Sequence, residues 1–448
     1  MSFRSQLRIG AVVFLALSLR LEAQTLPMKL TLAQAIDLAL RNNRALAIGA
    51  HKVDEMKSAT RKAMADFFPQ VTNSSTFLHL TETNILVFAP GSFGTFPGLG
   101  TLPSKELTVP QGNPNNILIH SQVAQPLTQL LRVHEGARVA QAEERAARAD
   151  LEALEEQIAL GVRQLYYGLL GSQLDRAAAM EQVHVAQEQL AESEQEVKRG
   201  ESLEVSLTEM RTRLLQAKQE QLTVSIRRSD VLAQFNNTVR LPQGTQVEVE
   251  DESAAALEIP EKGLCIQLAQ SQSPEIKAAE ETVKKTEAGV RAARLEYIPD
   301  VSVFARHDYQ NGVAFLFHNY GVVGAQFTYT LFDGGKKKAT VQEREAQRAQ
   351  AVENLQRLKD DAAANVERAL DRIEQARSLV DVATQVVDLR READRIAGVQ
   401  LQRGVILASK KSESSAALVK AMADKTKAQL AFVQSQAELE VLIGRIPR

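Results

Sequence analysis

The sequence predicts a mainly α-helical protein with a membrane β-barrel part, in which long antiparallel helical columns and four β-strands per chain come from an internally duplicated unit. Three observations predict it: a block of motifs that recurs at a fixed offset, long Ala-, Gln-, Glu-, Leu- and Arg-rich stretches with apolar residues three or four apart, and four short segments of alternating polarity. A hydrophobic share of 44% over 448 residues is that of a folded chain with room for two or three ordinary domains. The aromatic share is only 5% and tryptophan is absent, a composition that suits long helices. Acidic and basic residues are interspersed with a net charge of −2, which points to no nucleic-acid surface.

Arg4 and Arg8, the apolar run Ile9 to Leu19 and the sequence Leu21-Glu22-Ala23 read as the three regions of a signal peptide over residues 1–23. The apolar run falls short of the roughly 20 residues that a spanning helix needs. The single cysteine, Cys265, lies far from the expected cleavage site, so neither a lipid-attachment cysteine nor an intrachain disulfide is expected.

Superposing Phe68-Pro69-Gln70-Val71 on Ile298-Pro299-Asp300-Val301 gives an offset of 230, which also aligns Ala35-Ile36 with Cys265-Ile266. Further on, Gln125-Pro126-Leu127 aligns with Tyr329-Thr330-Leu331, and Lys198-Arg199-Gly200 with Gln402-Arg403-Gly404, both at an offset of 204. A period this long indicates a duplicated domain and not a solenoid. The expected organisation is a first repeat over residues 24–250, a linker over 251–262 and a second repeat over 263–448. The offsets differ because the first half carries an insertion between Val71 and Gln125, rich in Gly and Pro and expected to be an external loop over residues 81–116.

Each half reads helix, strand, loop, strand, long helix, turn, helix. Leu355, Leu358, Ala362, Val366, Ala369 and Ile373 keep the spacing of an apolar helix stripe, and Leu151, Leu154, Ile158, Val162, Leu165 and Leu169 do so in the first half. One helix from Lys336 to Gln402 is roughly 100 Å long at 1.5 Å per residue. Glycines near 200 and 404 supply the turns. The helix returning to Ile443 covers only about 60 Å, so a helix over Gly263–Tyr297 is expected to complete its column.

The candidate strands are residues 71–80, 117–127, 301–309 and 321–332, each long enough to cross a bilayer as a tilted strand. In the last, Val323, Ala325, Phe327, Tyr329 and Leu331 oppose Gly324, Gln326, Thr328 and Thr330. Four strands cannot close a barrel, since the smallest have about eight, and a bilayer leaves no backbone group unpaired. The chain must therefore oligomerise. Two copies supply eight strands and three supply twelve, and the pattern alone does not choose. The competing reading of the pattern is a small soluble sheet packed on the helices.

Leu30-Thr31-Leu32-Ala33-Gln34-Ala35-Ile36, Asn42-Asn43, Phe68-Pro69-Gln70-Val71 and the strand-to-helix junction Leu331-Phe332-Asp333-Gly334-Gly335-Lys336 resemble TolC-type outer membrane efflux proteins, across essentially the whole mature chain. The resemblance implies a homotrimer with a twelve-stranded barrel in outer membrane lipid and a helical tunnel through the periplasm. The tunnel of such a protein docks on a periplasmic adaptor (membrane fusion) protein and an inner-membrane transporter. It implies a periplasmic tip and adaptor contact at Arg199, Gly200, Leu203, Arg403, Gly404 and Leu407. It also implies a pore constriction at Lys410 and Glu413, where many relatives carry acidic residues at both places, so Lys410 departs from the pattern. In a barrel of this kind Ile117, Ile119, Val123, Val301, Val303, Val323, Phe327 and Tyr329 face lipid, and His120, Gln122, Asp300, Arg306, Asp308 and Gln326 face the lumen.

Catalytic chemistry has little to stand on. Glu181-x-x-His184 has the spacing of a di-iron ligand pair, but a second such pair is missing, and His134-Glu135 has no partner at ligand spacing. There is no phosphate-binding glycine loop and no nucleophile motif, so neither an enzyme nor a cofactor is expected. Lys336, Lys337 and Lys338, just past the last strand, suit lipid head groups with their stems on apolar surface. A periplasmic coiled-coil scaffold or adaptor without a pore explains the helices equally well but has no need of the hairpins.

Overall fold

A computed structural model describes residues 28–249, 259–312 and 317–445. The expected signal peptide and most of the expected linker lie outside these residues. The fold class is the one the sequence predicts, mainly helical with a small sheet. In chain order the helices are α1 (Leu32–Asn42), α2 (Arg44–Ala65), α3 (Gln129–Lys198), α4 (Glu204–Val239), α5 (Lys262–Gln272), α6 (Pro274–Leu295), α7 (Lys336–Gln402) and α8 (Ala408–Leu442). The strands are β1 (Met28–Leu30), β2 (Gln70–His79), β3 (Ile85–Phe88), β4 (Thr95–Phe96), β5 (Gly100–Thr101), β6 (Leu107–Pro110), β7 (Asn115–Pro126), β8 (Val247–Val249), β9 (Asp300–Asn311) and β10 (Asn319–Thr328).

The helix expected over Gly263–Tyr297 is two helices. Pro274 disfavours the helical conformation in the residue before it, and Ser273 is extended (φ −53°, ψ 123°). Its counterpart Asn43, 230 positions earlier, is likewise extended (φ −70°, ψ 127°). There the Asn43 side chain accepts from the Ala45 N–H (2.8 Å), restarting the helix as a cap. Thr31 starts α1 with a capping box, accepting from the Gln34 N–H while the Gln34 side chain accepts from the Thr31 N–H.

The chain divides into two compact units that cut across the repeats. The first comprises residues up to Gly49, Leu151–Pro274 and Lys359 onward, and the second Ala50–Asp150 with Glu275–Leu358. The first unit holds two cores built from equivalent positions. In one, Ala35 and Ala39 of α1 meet Val162 and Leu169 of α3 and Phe235 and Val239 of α4. In the other, Cys265 and Ala269 of α5 meet Val366 and Ile373 of α7, Leu439 of α8 and Ile443 at its C-terminal cap. The short helices are related by 230 positions and the long ones by 204, the same two offsets found in the sequence. In the first core the parallel pair β1–β8 adds Leu30, Val247 and Val249, and the Tyr166 hydroxyl donates to the Leu30 carbonyl (3.1 Å).

In the second unit a four-stranded antiparallel sheet runs in the order β10-β9-β7-β2. Its helices follow the same order. Thr60 of α2 donates to the Ala140 carbonyl of α3 (3.2 Å), Arg145 and Glu135 of α3 pair with Glu281 and Arg291 of α6, and Arg294 of α6 pairs with Glu345 of α7. Each strand is thus joined covalently to one helix of a matching row. The last strand stops at Thr328, short of the expected Phe332, because its partner begins at Asp300 and Pro299 before it has no N–H to extend the ladder. Tyr329 therefore lies past the strand. The region expected as a loop over residues 81–116 also holds paired strands, β3 with β6 and β4 with β5.

The ends of α4 and α8 show what the duplication requires of the backbone. Both close with the six-residue hydrogen bond of a Schellman turn, Leu241 N–H to the Asn236 carbonyl (2.9 Å) and Arg445 N–H to the Glu440 carbonyl (2.8 Å). The left-handed residue is Gly444 in the second half (φ 72°) but Arg240 in the first (φ 66°). A Cβ on Gly444 would stand 2.4 Å from the Gln272 Cβ, so glycine is required there, whereas Arg240 carries the strain of an L-residue in this region. Arg240→Gly is expected to raise stability by roughly 0.5–1 kcal/mol, the relief of strain exceeding the entropy cost of glycine. Gly444→Ala is expected to lower stability by at least about 1 kcal/mol. Thermal unfolding of the two variants followed by circular dichroism checks the opposite signs.

Candidate functional site

Three groups of residues are candidates for function: the two faces of the sheet, the two helical turns, and the start of α8.

The ladder register sorts the sheet into two faces. On one, Val71, Val123, Ala305 and Val323 lie side by side, as do Phe77 with Ile117 and Val301 with Phe327. Ile119 and Val303 share that face, and Val71, Phe77, Ile117, Val123, Val303, Val323 and Phe327 are all exposed. This apolar face is crossed by one polar row of Asn73, Ser121 and His307, where Asn73 donates to Ser121 Oγ (2.7 Å). On the other face Ser74, His120 and Asp308 are neighbours, beside Thr72, Gln122 and Arg306. Here Asp308 is 2% exposed: His120 Nδ1 lies 2.5 Å from one carboxylate oxygen and Arg306 Nε donates to the other (2.7 Å). Gln326 shares this face through its register with Ser302. Asp300, at the first position of β9, pairs with Arg132 of α3, so it ties strand to helix.

Past the last strand, the Lys337 ammonium sits over the rings of Tyr329 (5.1 Å) and Tyr297 (5.8 Å). Asp333 starts α7, its carboxylate accepting from the N–H groups of Gly335 (2.9 Å) and Lys337 (3.0 Å). These bonds, the Lys337 one foremost, hold its carboxyl below the ordinary aspartate range. The first-half junction has no such aspartate. There Thr128 donates to the Pro299 carbonyl and accepts from the Val301 N–H, binding the start of α3 to β9.

The turns after α3 and α7 are the same structure twice. Gly200 (φ 74°) and Gly404 (φ 70°) take the left-handed position. The Glu201 and Val405 N–H groups reach back to the Glu196 and Gln400 carbonyls (both 2.9 Å), and those of Gly200 and Gly404 to Val197 and Leu401 (3.0 and 2.9 Å). Arg199 pairs with Glu201, while Arg403 is exposed. Leu203 and Leu407 start α4 and α8 without a side-chain cap, and with Val205 and Val405 they leave apolar side chains in solvent.

Lys410 and Glu413 form an exposed ion pair one turn apart on α8 (2.9 Å), so the lysine that breaks the expected acidic pattern is answered by the glutamate of the same chain. The neighbouring Lys411 does more. Its ammonium reaches Asp394 on α7 (2.6 Å) and Ser415 (2.8 Å), and Ser415 also donates to Asp394 (2.9 Å). Glu192 of α3 accepts from the Ser409 N–H (2.9 Å), supplying the cap that Leu407 lacks. Sequence reasoning missed both contacts; the polar residues stand in view, but partners 17 and 217 positions away carry no local signal. Glu135 is joined to Arg291 and Arg138, His184 has Glu188 at 3.9 Å, and among the described residues no cluster of metal-ligating side chains occurs. Among them, too, no helix is long and apolar enough to cross a membrane.

With this geometry in place the comparisons with known proteins are decisive. The chain matches the outer membrane efflux protein family over residues 35–235 and 265–445, one segment per repeat. It belongs to that family. The fold is shared with the CmeC outer membrane channel of Campylobacter jejuni, at 15% identity and a TM-score of 0.76 over 92% of this chain and 85% of the other. It is also shared with VceC of Vibrio cholerae, at 16% identity and a TM-score of 0.72 over 92% and 96%. The open-state MtrE channel of Neisseria gonorrhoeae gives 16% identity and a TM-score of 0.67 over 93% and 90%. No curated protein sequence matches. As a family member, the protein is an outer membrane efflux channel with its helical part in the periplasm.

The clasp on α8 includes a titratable group, Asp394. Burial pushes this carboxyl up, but the bonds from Lys411 and Ser415 and the lysine charge outweigh it, leaving the pKa below the ordinary aspartate value. A depressed pKa stabilises the folded state fully above about pH 4, the unfolded value, and that contribution is lost as the pH falls through the folded one. Protection of residues 394–415 against hydrogen exchange, taken relative to the intrinsic rate at each pH, is therefore expected to fall as the pH drops below about 4, and Asp394→Asn to show the reduced protection already at pH 7.

Proposed function

We propose that three copies of this chain form the outer membrane channel of a tripartite efflux or secretion system. They give solutes a passive path from a periplasmic adaptor and an inner-membrane transporter to the exterior. The observation that carries the proposal is that each unit, taken by itself, has two open edges. In the sheet, β2 and β10 are outer strands. In the first unit α4 packs on α3 through Val231 against Gly168, α3 meets α8 through Asp175 and Lys427, and α8 meets α7 through Lys411 and Asp394. The outer helices α4 and α7 then expose apolar stripes: Leu215, Leu222 and Ile226 on one, Leu379, Val382, Val386 and Leu389 on the other. Their spacing of three, four or seven is that of a helix–helix seam. Outer strands in a bilayer and bare seams in water are both costly, and a closed ring of identical copies removes both at once. Twelve strands, the family's barrel, correspond to three copies.

In this assembly the exposed apolar face of the sheet meets lipid and the His120–Asp308–Arg306 face lines the lumen. The two glycine turns form the periplasmic tip, where Leu203 and Leu407 offer the adaptor apolar anchors. Three copies of the Lys410–Glu413 pair ring the constriction with compensated charge, which predicts weak ion selectivity. Purified protein in a planar bilayer is expected to give discrete conductance steps with little cation preference; a preparation that inserts without conducting would sink the channel reading. Gly404→Pro forces φ to about −65° at a residue held near +70°. It is expected to impair export in cells while trimers persist on unheated gels.

A further inference from the structure

The chain between β2 and β7 is not a loop but an arm. Leu80 N–H donates to the Pro114 carbonyl (2.7 Å) and Gln111 N–H to the Asn84 carbonyl (2.8 Å), which carries the sheet's ladder outward into the β3–β6 pair. Beyond it, Phe93 N–H donates to the Leu102 carbonyl (2.9 Å), and β4 and β5 close on a turn where Leu99 N–H donates to the Phe96 carbonyl (3.1 Å). Between Thr83 and Pro114 only Lys105 and Glu106 are charged. Both faces of the ribbon are apolar: Ile85 and Val87 alternate with Leu86 and Phe88, and Ile85, Leu86, Val87, Phe93 and Leu99 are exposed. A two-stranded ribbon is marginal by itself in water, and an exposed apolar surface of this extent marks an interaction site.

We propose that this arm is a clasp that lies on the neighbouring copy of the chain, across the seam where β2 of one copy meets β10 of the next. The proposal rests on the trimeric channel reading above. Three observations commit the arm to a second copy. It grows from the end of β2, the outer strand whose free edge the next copy's sheet must continue. The hairpin that this edge would meet, β9–β10, carries an exposed phenylalanine, Phe317, 82% accessible, and Tyr320 at its outer end, so apolar surface faces apolar surface. Finally, the ten residues of β2 suffice to cross the hydrocarbon as a tilted strand. The arm therefore begins where the lipid tails end, and the tails do not cover it. In the second repeat only the residues 312–318 separate β9 from β10, so the insertion is not needed to complete the sheet.

A benzophenone amino acid placed at Val87, or at Leu99 should the first variant fold poorly, tests the clasp in full-length protein in outer membranes. The same probe at Leu389, on the bare stripe of α7, reports the assembly. After irradiation the arm probe is expected to give bands at two and three chain masses, as the Leu389 probe does. Arm cross-links confined to lipopolysaccharide, confined to the same chain, or absent while Leu389 still cross-links would overturn the clasp and leave the trimer standing. Loss of intermolecular bands at Leu389 as well would overturn the assembly, and the clasp with it.

Discussion

The structure depends on one constraint: a strand in a bilayer must have both of its hydrogen-bonding edges paired, and four strands in a row always leave two edges open. Everything else in the second unit follows the sheet. Each strand continues into one helix, and the ion pairs between α3, α6 and α7 keep the helices in the order of their strands. Individually such surface pairs contribute little, but as a set they select one neighbour for each helix and reject others. The outer strands keep a free edge, and in the first unit α4 and α7 keep exposed apolar stripes, so each unit by itself makes the same demand for closure.

Duplication explains how a single chain builds this arrangement from few instructions. The two cores of the first unit use equivalent positions in each half, yet they are not copies. One is filled by Phe235 and Tyr166 with the β1–β8 pair beside them, the other by Leu439, Ile443 and Cys265. The same drift appears in the backbone, where Gly444 is obligatory because Gln272 approaches it closely and Arg240 keeps the equivalent turn at the cost of strain. The α7 start has an aspartate cap, while α3 uses Thr128 to hold the opposite hairpin. Of these asymmetries only the Thr128 contact joins the two halves; the others lie within one repeat.

Much of the fold was legible because it rests on periodicity and on glycine. Alternation gave the faces of the sheet, and the ladder register gathers Ile117, Val123, Val301, Val303, Val323 and Phe327 on one face and His120, Gln122, Arg306, Asp308 and Gln326 on the other. Gly200 and Gly404 announced two turns that proved identical hydrogen bond for hydrogen bond. Strand ends were less legible, as Tyr329 shows: the ladder stops because Pro299 stands opposite, a fact about the partner and not about the strand itself. Least legible were contacts between distant segments. Lys410 drew notice by its place in a family pattern, yet Lys411 next to it is the residue that binds another helix. In the sequence the arm reads as a loop, because its Gly and Pro residues obscure a ladder whose two sides lie far apart along the chain.

The central claim is that the open edges are closed by further copies of the same chain. Native mass spectrometry of the protein extracted from outer membranes in a mild detergent addresses this most directly. The account predicts a particle of three chains that falls to one chain only when the detergent micelle is heated. A stable single chain under mild extraction, or a ring of any other number, would contradict it.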